Sequence, residues 1–211
     1  QHYFVANELV RHGVRFASLA PRFCGEFQKG IDYIGDVEQF SCELAVHDAI
    51  AKKFGYKVSV HSGSDKFMVF PAVGRLTGGV FHLKTAGTNW LEAVRLVAIK
   101  DPAFYRELHA FALNSFAEAT TYYHVTTDLG RIPDINTLSD EQLPDLMKHN
   151  DARQLLHITY GLILTAKDEA GNRYLRDRLY ALLNTYADDY AALLEGHIGR
   201  HLALLLGDTQ A

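Results

Sequence analysis

An α/β fold of parallel βα units is what the sequence predicts, and three observations carry the prediction. Short runs rich in β-branched and aromatic residues alternate with longer helical patterns. Along each run apolar residues fall at every second position, so one face suits packing beneath helices. On three successive runs the other face carries a histidine near the C-terminal end: His61, His82 and His124.

The chain opens in a helical pattern, without a Met, and reads as the later part of a longer parent. "NELVRHG" is the end of that first helix, closed by Gly13. "VRFASLAPRF" is the first strand, ended with the help of Pro21. A glycine-punctuated loop, "CGEFQKGIDYIGD", leads to the helix "VEQFSCELAVHDAIAKKFG". There Phe40, Leu44, Ala45, Ala49 and Ile50 recur at helical spacing, and Gly55 ends the segment. "YKVSV" is the second strand, followed by a short segment and a turn at Gly78 and Gly79. "VFHLKTAG" is the third strand, and "TNWLEAVRLVAIK" a helix that Thr88 caps. Asp101 and Pro102 start another helix, "PAFYRELHAFALNSFAEA". "TYYHVTT" is the fourth strand.

Beyond residue 128 the pattern changes. "DARQLLHITYGLIL" fits a buried helix or a strand, and its periodicity leaves both open. The remainder is helical, with Leu179, Leu182, Leu183, Tyr186 and Tyr190 on one face. The expected division is residues 1–135 as βα units of a barrel lacking its N-terminal part, and 136–211 as helices packed on it.

Four parallel strands suit an open doubly wound sheet or half of a (βα)8 barrel. No G-x-G-x-x-G follows a strand, which favours the later half of a TIM barrel followed by C-terminal helices. A complete barrel takes about 250 residues. The chain has 211 residues, 48% hydrophobic and 22% charged, with net charge −4. This composition supplies a substantial core and no basic cluster for nucleic acid or an anionic membrane. No run is long enough to span a bilayer, and two cysteines suggest a reducing, cytoplasmic setting.

Parity sorts the strand residues. Val58 and Val60 share one face, and Ser59 and His61 the other. His82 and Lys84 oppose Phe81 and Leu83; Tyr122, His124 and Thr126 oppose Tyr123 and Val125. In a parallel barrel the polar face looks inward, and the C-terminal strand ends form the active-site mouth. Neutral imidazoles there suit a divalent cation such as zinc, manganese, nickel or iron. After the first strand, Glu26, Lys29 and Asp32 offer a general acid or base, a metal ligand, or only a solvated surface loop. In "SGSDK", the hydroxyls of Ser62 and Ser64, the backbone around Asp65, and Lys66 form a candidate anion nest. His197 and His201 lie four apart on the last helix, a spacing at which both could face one metal. Without an H-E-x-x-H context they read as a surface or interface pair.

"FCGEFQKGIDYIGD", "YKVSVHSGSDKF", "HLKTAGTNWLEA" and "YYHV" resemble the tagaturonate/fructuronate epimerase family of hexuronate catabolism. The resemblance runs over most of the chain and corresponds to the later part of a family member. It implies a metal-dependent (βα)8-barrel isomerase acting on a small hexuronate. The two keto-uronates differ at the carbon β to the ketone, so deprotonation beside a carbonyl does not invert it. Retro-aldol cleavage and re-addition does. On this reading His61, His82 and His124 hold the ion, and Glu26, with Asp32 in reserve, moves the proton. Lys84 steadies the enediolate, and Ser62, Ser64 and Lys66 take the carboxylate. The alternatives are another metal-dependent sugar aldolase or isomerase, or a fragment that only binds a sugar acid. An incomplete barrel also invites pairing of copies along its open edges, giving a homo-oligomer.

Overall fold

The computed structural model describes residues 1–85 and 88–207. In the order of the chain come α1 (His2–Arg11), β1 (Ser18–Leu19), α2 (Val37–Phe54), β2 (Lys57–Val60), α3 (Phe70–Thr77) and β3 (Phe81–Leu83). Then follow α4 (Thr88–Lys100), α5 (Pro102–Ala119), α6 (Asn150–Thr165), α7 (Tyr174–Thr185) and α8 (Ala187–Leu206). Two 3-10 helices, Leu129–Arg131 and Asp140–Lys148, lie between α5 and α6.

The chain divides into two compact units. The first comprises Gln1–Gln28, Asp32–Ala86 and Ile198–Ala211; the second comprises Lys29–Ile31 and Gly87–His197. In the first unit the three strands form one parallel sheet in the order β1-β2-β3. Ser59 pairs with His82 and Val60 with Leu83, so the parity expected for these strands is observed. Val58 and Val60 are buried among Phe40, Leu44, Val69, Phe70 and Val73, while His82 stands exposed on the other face.

Local chemistry explains the boundaries. The Asp36 carboxylate caps α2 by accepting from the backbone N–H groups of Glu38 and Gln39 at 2.8 and 3.1 Å. Gly55 ends the helix in the left-handed conformation at φ 75°. The buried stripe of α2 runs through Phe40, Leu44, Asp48 and Ala51, whereas Ala45 and Ala49 are exposed. The capping role expected of the Thr88 side chain lies outside the described residues.

The fourth strand is not formed. Residues 123–128 follow α5 as irregular chain. The N–H groups of Thr121 and Tyr122 turn back to the carbonyls of Glu118 and Ala119. The Asp128 N–H donates to the Asp151 carboxylate, and the Thr127 hydroxyl to Gln154 Oε1. Side chains of α6 thus take bonds that a strand ladder would otherwise make, and His124 sits on no strand. The sheet therefore shows parallel βα units with three strands, not four.

The second unit is helical. Leu91, Val94 and Val97 of α4, Phe104 and Leu108 of α5, Leu155 and Leu156 of α6, and Leu175 and Leu179 of α7 meet in one core. Burial on this scale settles "DARQLLHITYGLIL" as helix α6. The C-terminal helical stretch breaks at Tyr186 into α7 and α8. No described helix is long and apolar enough to cross a membrane.

Candidate functional site

The C-terminal ends of β2 and β3 gather a polar group in the first unit. Ser59 is 1% exposed, and its Oγ lies 2.7 Å from His82 Nδ1. The chain crosses between the strand ends through two backbone bonds: Lys84 N–H to the Val60 carbonyl at 2.9 Å, and Gly63 N–H to the Lys84 carbonyl at 2.8 Å. Gly63 packs closely here: a Cβ at this position would fall 2.3 Å from Leu83 Cδ1 and would require that side chain to move. His61, His82 and Lys84 are exposed beside this crossing. Partial burial, the Lys84 ammonium and His82 together lower the pKa of His61, so it is a neutral imidazole at neutral pH.

The loop after β2 is held in a demanding conformation. Ser62 and Asp65 both adopt positive φ, 52° and 56°, which non-glycine residues seldom do. Side chains pointing inward hold that shape. Lys66 is fully buried, and its Nζ donates to the carbonyls of Gln28 at 2.9 Å and Ser64 at 3.0 Å. Asp65 is buried as well. Its N–H donates to His201 Nε2 at 3.1 Å, and its carboxylate Oδ1 lies 3.3 Å from the same nitrogen. His201 packs against Phe67 and Phe70. The expected surface character of His201 is therefore corrected: α8 carries it into the core of the first unit. His197, one turn earlier on α8, lies beside Glu92 with Nδ1 3.4 Å from Oε1.

The loop after β1 presents Glu26 at the surface, where it accepts a hydrogen bond from the Gln28 side chain. A short antiparallel bridge to Ile34 holds its backbone. Asp32 is half-buried, and its Oδ1 accepts from the N–H groups of Tyr33 at 2.7 Å and Met68 at 3.2 Å. Asp32 thereby ties the loop after β1 to the loop after β2.

Of the residues singled out by sequence, the structure brings His61, His82 and Lys84 together, with Ser62 following His61. Ser64, Asp65 and Lys66, expected to meet the substrate, are instead buried and turned inward. His124 is exposed on irregular chain of the second unit, so the strand argument that grouped it with His61 and His82 no longer applies. Ser59 was legible only as a neighbour of His61 in parity; its bond to His82 depends on strand register. The donors fit a divalent cation in one respect: His61 is neutral, and His82, when its Nδ1–H donates to Ser59, keeps the Nε2 lone pair as a ligand. Among the described residues, the ligand atoms of Asp65 and His201 lie within 4.8 Å of each other, close enough to share one ion, a spacing not shown for His61 and His82.

A family model described as tagaturonate epimerase matches residues 1–205. A tagaturonate/fructuronate epimerase of Thermotoga maritima is 45% identical over 207 residues, covering 98% of this chain and 42% of that protein. Crystal structures of a fructuronate-tagaturonate epimerase from Cohnella laeviribosi, one native and one complexed with glycerol, superpose with a TM-score of 0.95 at 60% identity. The match covers 97% of this chain and 42% of theirs, so the chain spans less than half the length of these relatives.

Proposed function

Because the chain belongs to the tagaturonate epimerase family, we propose that it serves the interconversion of D-tagaturonate and D-fructuronate, with its strand-end cluster as part of the active site. The observation that carries the reading is the meeting of His61, His82 and Lys84 at the C-terminal ends of adjacent parallel strands.

Inversion at the carbon β to a ketone fits retro-aldol chemistry. The β-hydroxyl loses its proton, the bond between the α and β carbons breaks, and an aldehyde and an enediolate result. The aldehyde turns over, the bond re-forms on its other face, and the new alkoxide takes a proton. Nothing is gained or lost, as an isomerase requires. Glu26, exposed on the loop after β1, is the group assigned to the proton transfer. Asp32 already accepts two backbone N–H groups, which suits it to hold the loops. The Lys84 ammonium opposes the negative charge of the enediolate. Ser62 receives the carboxylate end of the substrate, over a loop shaped by Asp65 and Lys66. A divalent cation held by His61 and by His82 through Nε2 would supply Lewis acidity toward the ketone oxygen.

The test is to incubate the purified chain with D-fructuronate, without nicotinamide, and follow D-tagaturonate by NMR. The same assay is repeated after chelation and after return of zinc or manganese. Epimer formation that chelation abolishes and the ion restores is the expected result. A chain that binds the ion yet forms no epimer would sink the reading.

A further inference from the structure

We propose that Ser59 is a positioning residue for His82: its buried hydroxyl occupies Nδ1, so that Nε2 is the atom His82 presents at the strand end. The inference deepens the proposed function and rests on reading the ends of β2 and β3 as part of the active site.

Ser59 and His82 are register partners in β2 and β3, so the pleat places both side chains on one face of the sheet. Val58 and Val60 flank Ser59 and are each 1% exposed, which holds the backbone on both sides of it. From that anchored strand, Oγ reaches Nδ1 at 2.7 Å, a short distance for a bond between a hydroxyl and an imidazole. The two partners differ in surroundings, since Ser59 is buried and His82 exposed. An exposed imidazole on a bare strand samples several ring orientations, and a half-turn about χ2 exchanges Nδ1 with a carbon. Such a flip here would break the Ser59 bond and leave a buried hydroxyl without that partner.

The serine therefore selects one ring orientation. When Nδ1–H donates to Oγ, Nε2 keeps a lone pair for a cation; when the hydroxyl donates to Nδ1, Nε2 carries the proton and can donate to a substrate oxygen. Ligation of a cation and hydrogen bonding to a substrate oxygen both require one ring nitrogen held in place, and a polar partner on the other nitrogen supplies this. Ser59 touches neither substrate nor ion in this arrangement; it acts through His82.

The experiment compares the wild-type chain with Ser59→Ala and Ser59→Thr, using histidine ring ¹⁵N resonances. His82 is identified by the loss of its signals in His82→Gln. In the wild type, His82 is expected to show one dominant tautomer. Ser59→Ala is expected to move its ring shifts toward the averaged values of a freely exchanging imidazole. Ser59→Thr keeps the hydroxyl and should retain the wild-type pattern. Near-ultraviolet circular dichroism checks that each variant is folded. Unchanged His82 ring resonances in folded Ser59→Ala would overturn the inference. In the epimerase assay, Ser59→Ala should lower kcat about 10- to 100-fold with little change in KM, and Ser59→Thr should recover most of it. A KM effect alone, with kcat intact, would also overturn it. Absence of activity in the wild type would sink the functional reading, while the ring resonances would still decide the role of Ser59.

Discussion

Asp65 and His201 stand 136 positions apart in the chain, yet His201 Nε2 lies 3.1 Å from the Asp65 backbone nitrogen and 3.3 Å from its carboxylate. The contact sits where Asp65 adopts a left-handed conformation at φ 56°. It ties the last turns of α8 to the loop that follows His61. A side chain distant in sequence thus helps to hold the peptide next to the proposed site in an uncommon shape.

The first prediction concerns that contact. His201→Ala removes a buried partner of Asp65 and the ring that packs on Phe67 and Phe70. Stability should fall by about 1–3 kcal/mol, the usual cost of leaving a buried polar group without its partner. Urea unfolding measures this, and an unchanged midpoint would show that the loop holds its shape alone.

Lys66 gives the second. Its buried ammonium donates to the carbonyls of Gln28 and Ser64, which joins the loops after β1 and β2. Lys66→Met preserves much of the volume but removes those donors. The expected loss is again about 1–3 kcal/mol in unfolding free energy. A variant of wild-type stability with a raised KM for hexuronate would instead make Lys66 a direct partner of the substrate carboxylate.

A third prediction concerns acid. His109 of α5 is 1% exposed, and burial pushes its pKa from 6.5 down to about 4. The unfolded chain therefore binds the proton more readily than the folded one between those values. The stabilising contribution is complete above about pH 6.5 and is lost as pH falls toward 4, a change of about 3 kcal/mol. His109→Leu should flatten the pH dependence of unfolding in that window. Part of the slope will survive, because burial and the neighbouring His47 likewise lower His2 to about 4. A wild-type slope in His109→Leu would show that His109 is not the group responsible.

The fourth concerns the ion. In chelator-treated protein, His61→Ala and His82→Ala should each weaken zinc or manganese binding by at least about tenfold. His201→Ala should leave binding near the wild-type level. Calorimetric titration distinguishes the two positions, and the reverse pattern would move the ion to the Asp65–His201 pair.

Much of this organisation is written locally in the chain. The alternation in "KVSV" and "FHL" marks two strands and tells which residues share a face, because the pleat forces successive side chains to opposite sides. Gly55 marks the end of α2, because a left-handed residue there closes the helix locally. "TYYHVTT" shows where such reasoning fails. Its β-branched and aromatic content favours a strand, yet its neighbours Asp151 and Gln154 of α6 supply hydrogen bonds that leave it irregular. With that strand goes the grouping of His124 with the other two histidines.

By itself, then, the sequence determined the βα rhythm of the first three strands, the faces of β2 and β3, the glycine that ends α2 and the family resemblance. All of these rest on residues close together or on phrases read in order. Tertiary structure alone decided that Ser59 meets His82, that Lys66 turns inward, that His201 is buried against Asp65, and that the sheet has three strands. Each of these depends on register or packing between segments far apart along the chain, where the free energy of burying a polar group is set by a partner that local pattern does not name.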